Sequence, residues 1–352
     1  MGAPETPTRQ QRRIGLRRVG IILLALLLAG LIAFAISRLE LRRIGHALIT
    51  ATPGWVALAL ALMALSLLLR SVSWHQTLRA ALPELPIRWP PVMRATMIGV
   101  MASALFPGRL GEPTRVLVLS RRLEGPTKRL LAVVAGTVFS QTLINLLALC
   151  LLAAVSFTSV PFFHGHLAGV AGALAVPLAL CVLVVFGPRL LAQAQRSGSA
   201  RVLVAANTIE RLLRQARQGL TVFARPRYGA NAVAAQLAAW VLQWLACYAV
   251  LLALGLQAHT NLATAAAILL AVNVSAILPA TPSNVGVFQA ACLVVLAAYG
   301  VGAGQGLAYG IILQAVEVVT ALALGIPALL AEGLSWQDIR PTKRASAGQR
   351  AE

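Results

Sequence analysis

The chain has 352 residues, of which 59% are hydrophobic and only 11% charged, with a mean hydropathy of +0.80. A soluble domain is about 45–50% apolar and about 25% charged, so too few polar side chains remain to coat a water-facing core, and lipid must replace the missing solvent. The net charge of +20 comes from arginines in short loops between apolar runs, a pattern of topology signals and anionic-lipid contacts rather than of a nucleic-acid surface.

Residues 1–18 form a basic tail carrying Arg9, Arg12, Arg13, Arg17 and Arg18. The apolar run 19–36 that follows is about a full span long, which favours an uncleaved first helix over a signal peptide, although Ala33-Phe34-Ala35 resembles a cleavage site. Segment 38–50 sorts Leu41, Ile44 and Leu48 from Arg42, Arg43 and His46, as an interfacial helix would. Further apolar spans are expected near 54–73, 130–155, 167–187, 230–255 and 306–331.

Two segments are of another kind. Residues 91–122 read as an apolar leg, a Pro107-Gly108 break and a short second leg, and residues 262–299 repeat this around Pro279 and Pro282. A second leg of about 14 residues reaches about 21 Å, short of a hydrocarbon core of about 30 Å. Both segments therefore read as re-entrant hairpins. The phrases Ser103-Ala104-Leu105-Phe106-Pro107-Gly108 and Ser275-Ala276-Ile277-Leu278-Pro279-Ala280 stand at matching points of the two.

With the N-terminus cytoplasmic, six spans and two hairpins place the basic stretches 109–129 and 188–229 inside, together with the tail 336–352. The outer loops 156–166, 256–262 and 300–305 hold no charged residue, as the positive-inside rule requires. Segment 38–50 is the exception, being basic yet outside. The expected fold is all-α: a polytopic bundle over 19–335 of six full spans and two hairpins in an inverted repeat, with an amphipathic cytoplasmic segment at 188–229. The expected location is the inner (plasma) membrane, with both termini cytoplasmic.

Such repeats place binding sites at the bilayer midplane, where broken helices meet, and charged groups at that depth are costly and point to function. Arg109, Glu112 and Arg115 are spaced by three, which stacks them on one helical face. Gln141 and Asn145 share a face of the next span, and Gln314 and Glu317 share a face of the last. Glu317 is the only charged residue between Tyr228 and Ala331. Thr281, Asn284 and Gln289 surround the second break. Gly111 and Gly286 belong to the breaks themselves. The plain alternative is that the arginines reach for the cytoplasmic surface, Arg94 above all, and that the amides only join helices.

At GRLGEPTRVLVLSRR and PATPSNVGVFQAACLVVLAAYGV the chain resembles the lysylphosphatidylglycerol synthase transmembrane-region family, often called flippase-like, over most of 15–335. The resemblance implies that Pro107, Gly108, Arg109, Gly111, Glu112 and Arg115 match the family's first hairpin, and Pro279, Pro282, Gly286 and Phe288 its second. It also implies lipid translocation. Where the family commonly carries Glu-Arg and a later Asp, this chain has Gln141-Thr142 and Asn145. It has Gln289 where the family has Glu, and Gln314 where the family often has Arg. These amides keep hydrogen-bonding shape and drop charge, leaving an Arg-rich half-cavity suited to an anionic phosphate.

The expected function is thus movement of an anionic phospholipid or a lipid-linked glycan, without catalytic residues, metal or cofactor. Cys150, Cys181, Cys247 and Cys292 lie in apolar runs without paired spacing, and the histidines are scattered; neither pattern makes a disulfide framework or a metal site. The alternatives are a non-transporting membrane partner, for example of a glycosyltransferase, and an enzyme of lipid-linked glycan synthesis. For the enzyme, the outer loops supply only Glu40 as a base.

Overall fold

A computed structural model of the chain describes residues 51–105, 111–123, 127–159, 221–276 and 284–333. The described residues form helices and connecting turns: α1 Pro53–Ala81, α2 Trp89–Leu105, α3 Gly111–Ser120, α4 Thr127–Ser159, α5 Pro226–Ala253, α6 Leu262–Ser275, α7 Val287–Ala298 and α8 Ala303–Ala331. A single turn, Thr221–Ala224, precedes α5, and a 3-10 turn, Leu256–Ala258, follows it. The expected spans 19–36 and 167–187, segment 38–50 and most of 188–229 lie outside the described residues.

The helix limits follow from local chemistry. Proline opens α1 and α5, where its fixed φ suits the first turn and its missing N–H has no helical partner to lose. Asn261 caps α6 in a reciprocal pair with Thr264, which satisfies two otherwise orphan donors. After α8, Gly333 takes φ 64°, a left-handed residue that stops the helix. The helix α1 runs eight residues past its expected end at 73. Hydroxyls make this extension tolerable: Ser73 Oγ donates to the Ala232 carbonyl at 2.9 Å and Thr77 Oγ1 to that of Trp74 at 2.7 Å.

Among the described residues, four helices are long and apolar enough to cross a membrane: Pro53–Ala81, Leu130–Ala154, Pro226–Ala253 and Ala303–Ala331. The other four are short. At 1.5 Å per residue α2, α3, α6 and α7 reach only about 26, 15, 21 and 18 Å, below the hydrocarbon thickness of about 30 Å.

Among the described residues the core has two large halves and a small third cluster of Ala80, Ile144, Val222 and Ala232. One half gathers buried residues of α6 and α7 (Ile268, Leu269, Phe288, Leu296) with Ala59, Trp240 and Tyr309. The other gathers α2 and α3 (Ile98, Met101, Val116, Leu119) with Trp74, Leu78 and Leu329. Each pair of short helices thus sits in its own half. Among the eight helices, α1 packs on α5, while α2 packs on α1, α3 and α8, and α6 on α5, α7 and α4. Likewise α3 packs on α4 and α7 on α8. Exchanging α1–α4 for α5–α8 leaves these principal pairs unchanged.

Helices α1 and α5 run antiparallel: Thr52 N–H donates to the Ala253 carbonyl, Ser66 Oγ to Ala239 and Ser73 Oγ to Ala232, each at 2.9 Å. At the end where α5 finishes, Leu254, Leu256, Ala263, Tyr299 and Val301 join one cluster with Ala51. The Leu256–Ala258 turn leads from this end of α5 directly into α6, and none of Leu254, Leu256, Ala263, Tyr299 and Val301 is charged. At the opposite end, Arg94 of α2 meets Glu332 after α8 (Nε–Oε1 3.0 Å), and Arg122 after α3 meets the same carboxylate (Nε–Oε2 2.6 Å). This Arg-rich face holds both ends of 91–122. Arg94, expected to reach for water, thus ties the first leg to the last helix.

The Glu332 side chain is 3% exposed and its arginines 32% and 52%. Glu332→Ala is expected to lower stability by about 1–3 kcal/mol, since a fully buried pair broken on one side loses about 3–5 and both cations here have water to fall back on. Thermal melting in detergent reads the change, and an unaltered midpoint would mean the clamp holds nothing.

Candidate functional site

Polar side chains converge where the two core halves meet. On α1, Arg70 and Trp74 are four apart; on α4, Gln141 and Asn145 are four apart; on α5, Gln236, Trp240 and Gln243 follow a 0, 4, 7 spacing. Each set lies on one helix face.

The guanidinium of Arg115, on α3, is held on three sides. Nη1 donates to Gln141 Oε1 at 2.7 Å, Nη2 pairs with Glu112 one turn earlier, and the plane lies 4.8 Å from the centre of the Trp74 ring. Trp74 is fixed in turn by its Nε1, which donates to Thr137 Oγ1 at 3.1 Å. The Arg115 side chain is 11% exposed, whereas that of Glu112 is 52% exposed. The acid is thus the wet partner of a dry cation.

An amide chain leads onward. Gln141 Nε2 donates to the backbone carbonyl of Arg70 at 3.0 Å and to Gln236 Oε1 at 3.4 Å. Gln236 Nε2 donates to Asn145 Oδ1 at 2.5 Å, which also accepts from Trp240 Nε1 at 3.1 Å. Arg70 donates through Nη2 to Gln243 Oε1 and lies 5.9 Å from the centre of the Trp240 ring. It is charge-coupled to Glu317, Arg115 and Glu112, with no direct ion pair to Glu317 among the described residues. The Nε atoms of Arg70 and Arg115 are buried without a hydrogen-bond partner among the described residues.

Two guanidiniums, each with a donor unspent, therefore share one junction with neutral amides. A buried donor left unmade costs about 1–3 kcal/mol, more when charged. An incoming anion would relieve both. Because the guanidinium is a planar fork of donors, phosphate or carboxylate oxygens fit it best. The amides add directional donors and acceptors without adding charge.

Of the residues singled out by sequence, the structure brings Glu112, Arg115, Gln141 and Asn145 into one network. Gln289 and Gln314 form a second contact between α7 and α8, with Gln289 Oε1 also accepting from the Gly286 N–H at 2.6 Å. Glu317, on α8, lies near enough to Arg70 for their charges to act on each other, without an ion pair between them among the described residues. Asn284, at φ 53°, and Gly286, at φ 90°, make the left-handed turn that starts α7. Gly111 lies against α2: a Cβ there would stand 2.0 Å from the Gly99 carbonyl oxygen and 2.1 Å from Ser103 Oγ. Pro107, Gly108, Arg109, Pro279, Thr281 and Pro282 lie outside the described residues.

Sequence reasoning missed Arg70, Trp74, Gln236, Trp240 and Gln243. Arg70 sits near the end of the run expected at 54–73, where an arginine reads as a boundary. The Gln-Trp-Gln stripe on α5 carried a signal, since its spacing puts three polar-tipped residues on one face of an otherwise apolar span.

Long apolar helices around a buried polar centre define a multi-pass helical membrane protein. The family model for the lysylphosphatidylglycerol synthase TM region matches residues 19–325, which takes in every helix of the network. The chain belongs to that family. Neither a curated protein nor a solved structure matches the chain at significance.

Proposed function

We propose that this protein moves a lipid with an anionic head group, a phospholipid or a lipid-linked glycan, across the inner membrane, and that it does so by transport rather than by chemistry. The observation that carries the reading is the pair Arg70 and Arg115: two cations at the junction of the core halves, each with a buried Nε that has no hydrogen-bond partner among the described residues, beside the amides of Gln141 and Gln243 and with Glu112 in direct contact with Arg115. Ionisable groups inside a membrane protein mark ion and substrate routes.

In this reading residues 19–36 and 167–187 supply the fifth and sixth spans, both termini are cytoplasmic, and the Arg-rich face is the cytoplasmic one. The pairs α2–α3 and α6–α7 are re-entrant hairpins entering from opposite faces, and α1–α4 and α5–α8 are inverted repeats. The short reach of these four helices, the separate faces that hold their ends and the exchange property of the packing support that arrangement.

A phosphate arriving from the cytoplasmic side displaces Glu112, the wet partner, from Arg115. Gln141, bonded both to Arg115 and to the backbone of Arg70, spans the interval between the cations. Glu317 offsets Arg70 once the phosphate has left. Rocking of the hairpins then opens the pocket outward while the acyl chains stay in lipid.

The test is a dithionite-quench assay in proteoliposomes holding fluorescent phosphatidylglycerol or fluorescent phosphatidylcholine. The reading expects faster transfer of the anionic lipid than of the zwitterionic one, and slower anionic transfer in Arg70→Gln. Transfer no faster than in protein-free vesicles would remove it.

A further inference from the structure

A second group of cations lies away from the midplane, where α1 ends. There a groove of about 420 Å³ is lined by Arg79, Leu82, Glu84, Leu85, Arg88 and Tyr228. We propose that this groove is a separate, static site for the phosphate and glycerol of an anionic phospholipid head group. It does not require that the protein transport anything.

The level in the bilayer is the first argument. Arg79 stands two residues before the end of α1, Tyr228 two residues into α5, and Trp89 opens α2. Aromatic residues at helix ends mark the head-group zone, and basic pockets between helices at that level take anionic head groups.

The second argument is preorganisation. The guanidinium of Arg79 lies 5.5 Å from the centre of the Tyr228 ring; a stacked guanidinium is fixed in place and keeps its in-plane donors for an anion. The groove wall is pinned as well. His75 Nε2 donates to the Ile87 carbonyl at 2.9 Å, Ile87 N–H donates to Leu85 at 2.8 Å, and Ile87 itself is buried.

Charge and composition supply the third. Neither Arg79 nor Arg88 forms an ion pair among the described residues, and Glu84 is the one acid in the lining. Arg225 and Arg227, both exposed, stand just before Tyr228. The leucines and prolines between the charges offer an apolar wall, which a glycerol ester uses and a free phosphate ion does not. The volume lies in the small-ligand range of roughly 300–1,000 Å³.

The test is native mass spectrometry of the full chain with dioleoylphosphatidylglycerol, dioleoylphosphatidylcholine and, as a competitor, inorganic phosphate. Each arginine near an anionic head group is worth about a fivefold change in affinity, so Arg79→Gln combined with Arg88→Gln is expected to weaken phosphatidylglycerol retention by about 25-fold. Glu84→Gln is expected to strengthen it, an opposite sign that no folding defect mimics. Gly54→Ala, at the opposite end of α1 where an added Cβ meets nothing within 4 Å, is expected to leave it unchanged. Equal retention by wild type and the double variant, or phosphatidylcholine held as tightly as phosphatidylglycerol, would overturn the site. Release of the lipid by excess inorganic phosphate would overturn the lipid assignment in favour of a free anion.

Discussion

Arg115→Met is expected to slow transfer of anionic lipid by about 10–10²-fold, the loss that follows when hydrogen bonds from a cation to a charged partner, worth about 1.5–3 kcal/mol, are removed. Methionine keeps an unbranched apolar stem against Trp74, so the contact on that ring survives. Glu112 is left unpaired but half exposed, so water solvates it and the helix bundle stands. Arg115→Lys keeps the charge and loses the fork that holds Gln141 and an anion together; it is expected to fall between wild type and Arg115→Met. A folded Arg115→Met that transfers lipid at the wild-type rate would take Arg115 out of the mechanism.

The second large effect is structural. Gly111→Val is expected to destabilise the protein by about 3 kcal/mol or more, the upper end for overpacking, because backbone rather than a flexible side chain stands in the way. The Gly99 carbonyl oxygen is 2.0 Å from where the new Cβ would go. Gly99 faces the same contact from the other side, with Arg115 Cβ 3.0 Å from its own imagined Cβ. Small residues allow such close approach of membrane helices, and here the approach also sets the position of Arg115. Gly54→Ala is the control: nothing lies within 4 Å of that Cβ, and a change within about 0.5 kcal/mol is expected. Monodispersity on gel filtration and the melting midpoint read both. A Gly111→Val protein that elutes and melts like wild type would show the α2–α3 contact to be dispensable.

The sequence announced the membrane class, four of the expected spans and both pairs of short helices, because lipid removes most of the ambiguity that makes soluble folds hard to read. An apolar run of full length becomes a span, and a proline-glycine break in a run of half length becomes a pair of legs. Glu112, Arg115, Gln141 and Asn145 stood out for the same reason: polar groups are rare there, and helical spacing sorted them onto faces. Arg70 was hidden by a wrong helix end. Once α1 continues to Ala81 past Ser73, Trp74 and Thr77, Arg70 stands well inside the helix instead of in its last turn. Gln236 and Gln243 were hidden differently. Their role exists only because α1 and α5 run antiparallel side by side, bringing Arg70 to Gln243 and Gln141 to Gln236, and no local pattern encodes which helices become neighbours.

The proposed route past Arg70 and Arg115 requires that the two pairs of short helices enter from opposite sides. Two-sided labelling decides this: in a chain with its four cysteines replaced, single cysteines at Arg88, Arg122, Asn261 and Gly300 are challenged with an impermeant maleimide from either face of the membrane. The account predicts that Arg88→Cys and Arg122→Cys react from the cytoplasmic side only, and Asn261→Cys and Gly300→Cys from the other side only. Reaction of Arg88→Cys and Arg122→Cys from opposite sides, or of all four from one side, would contradict it.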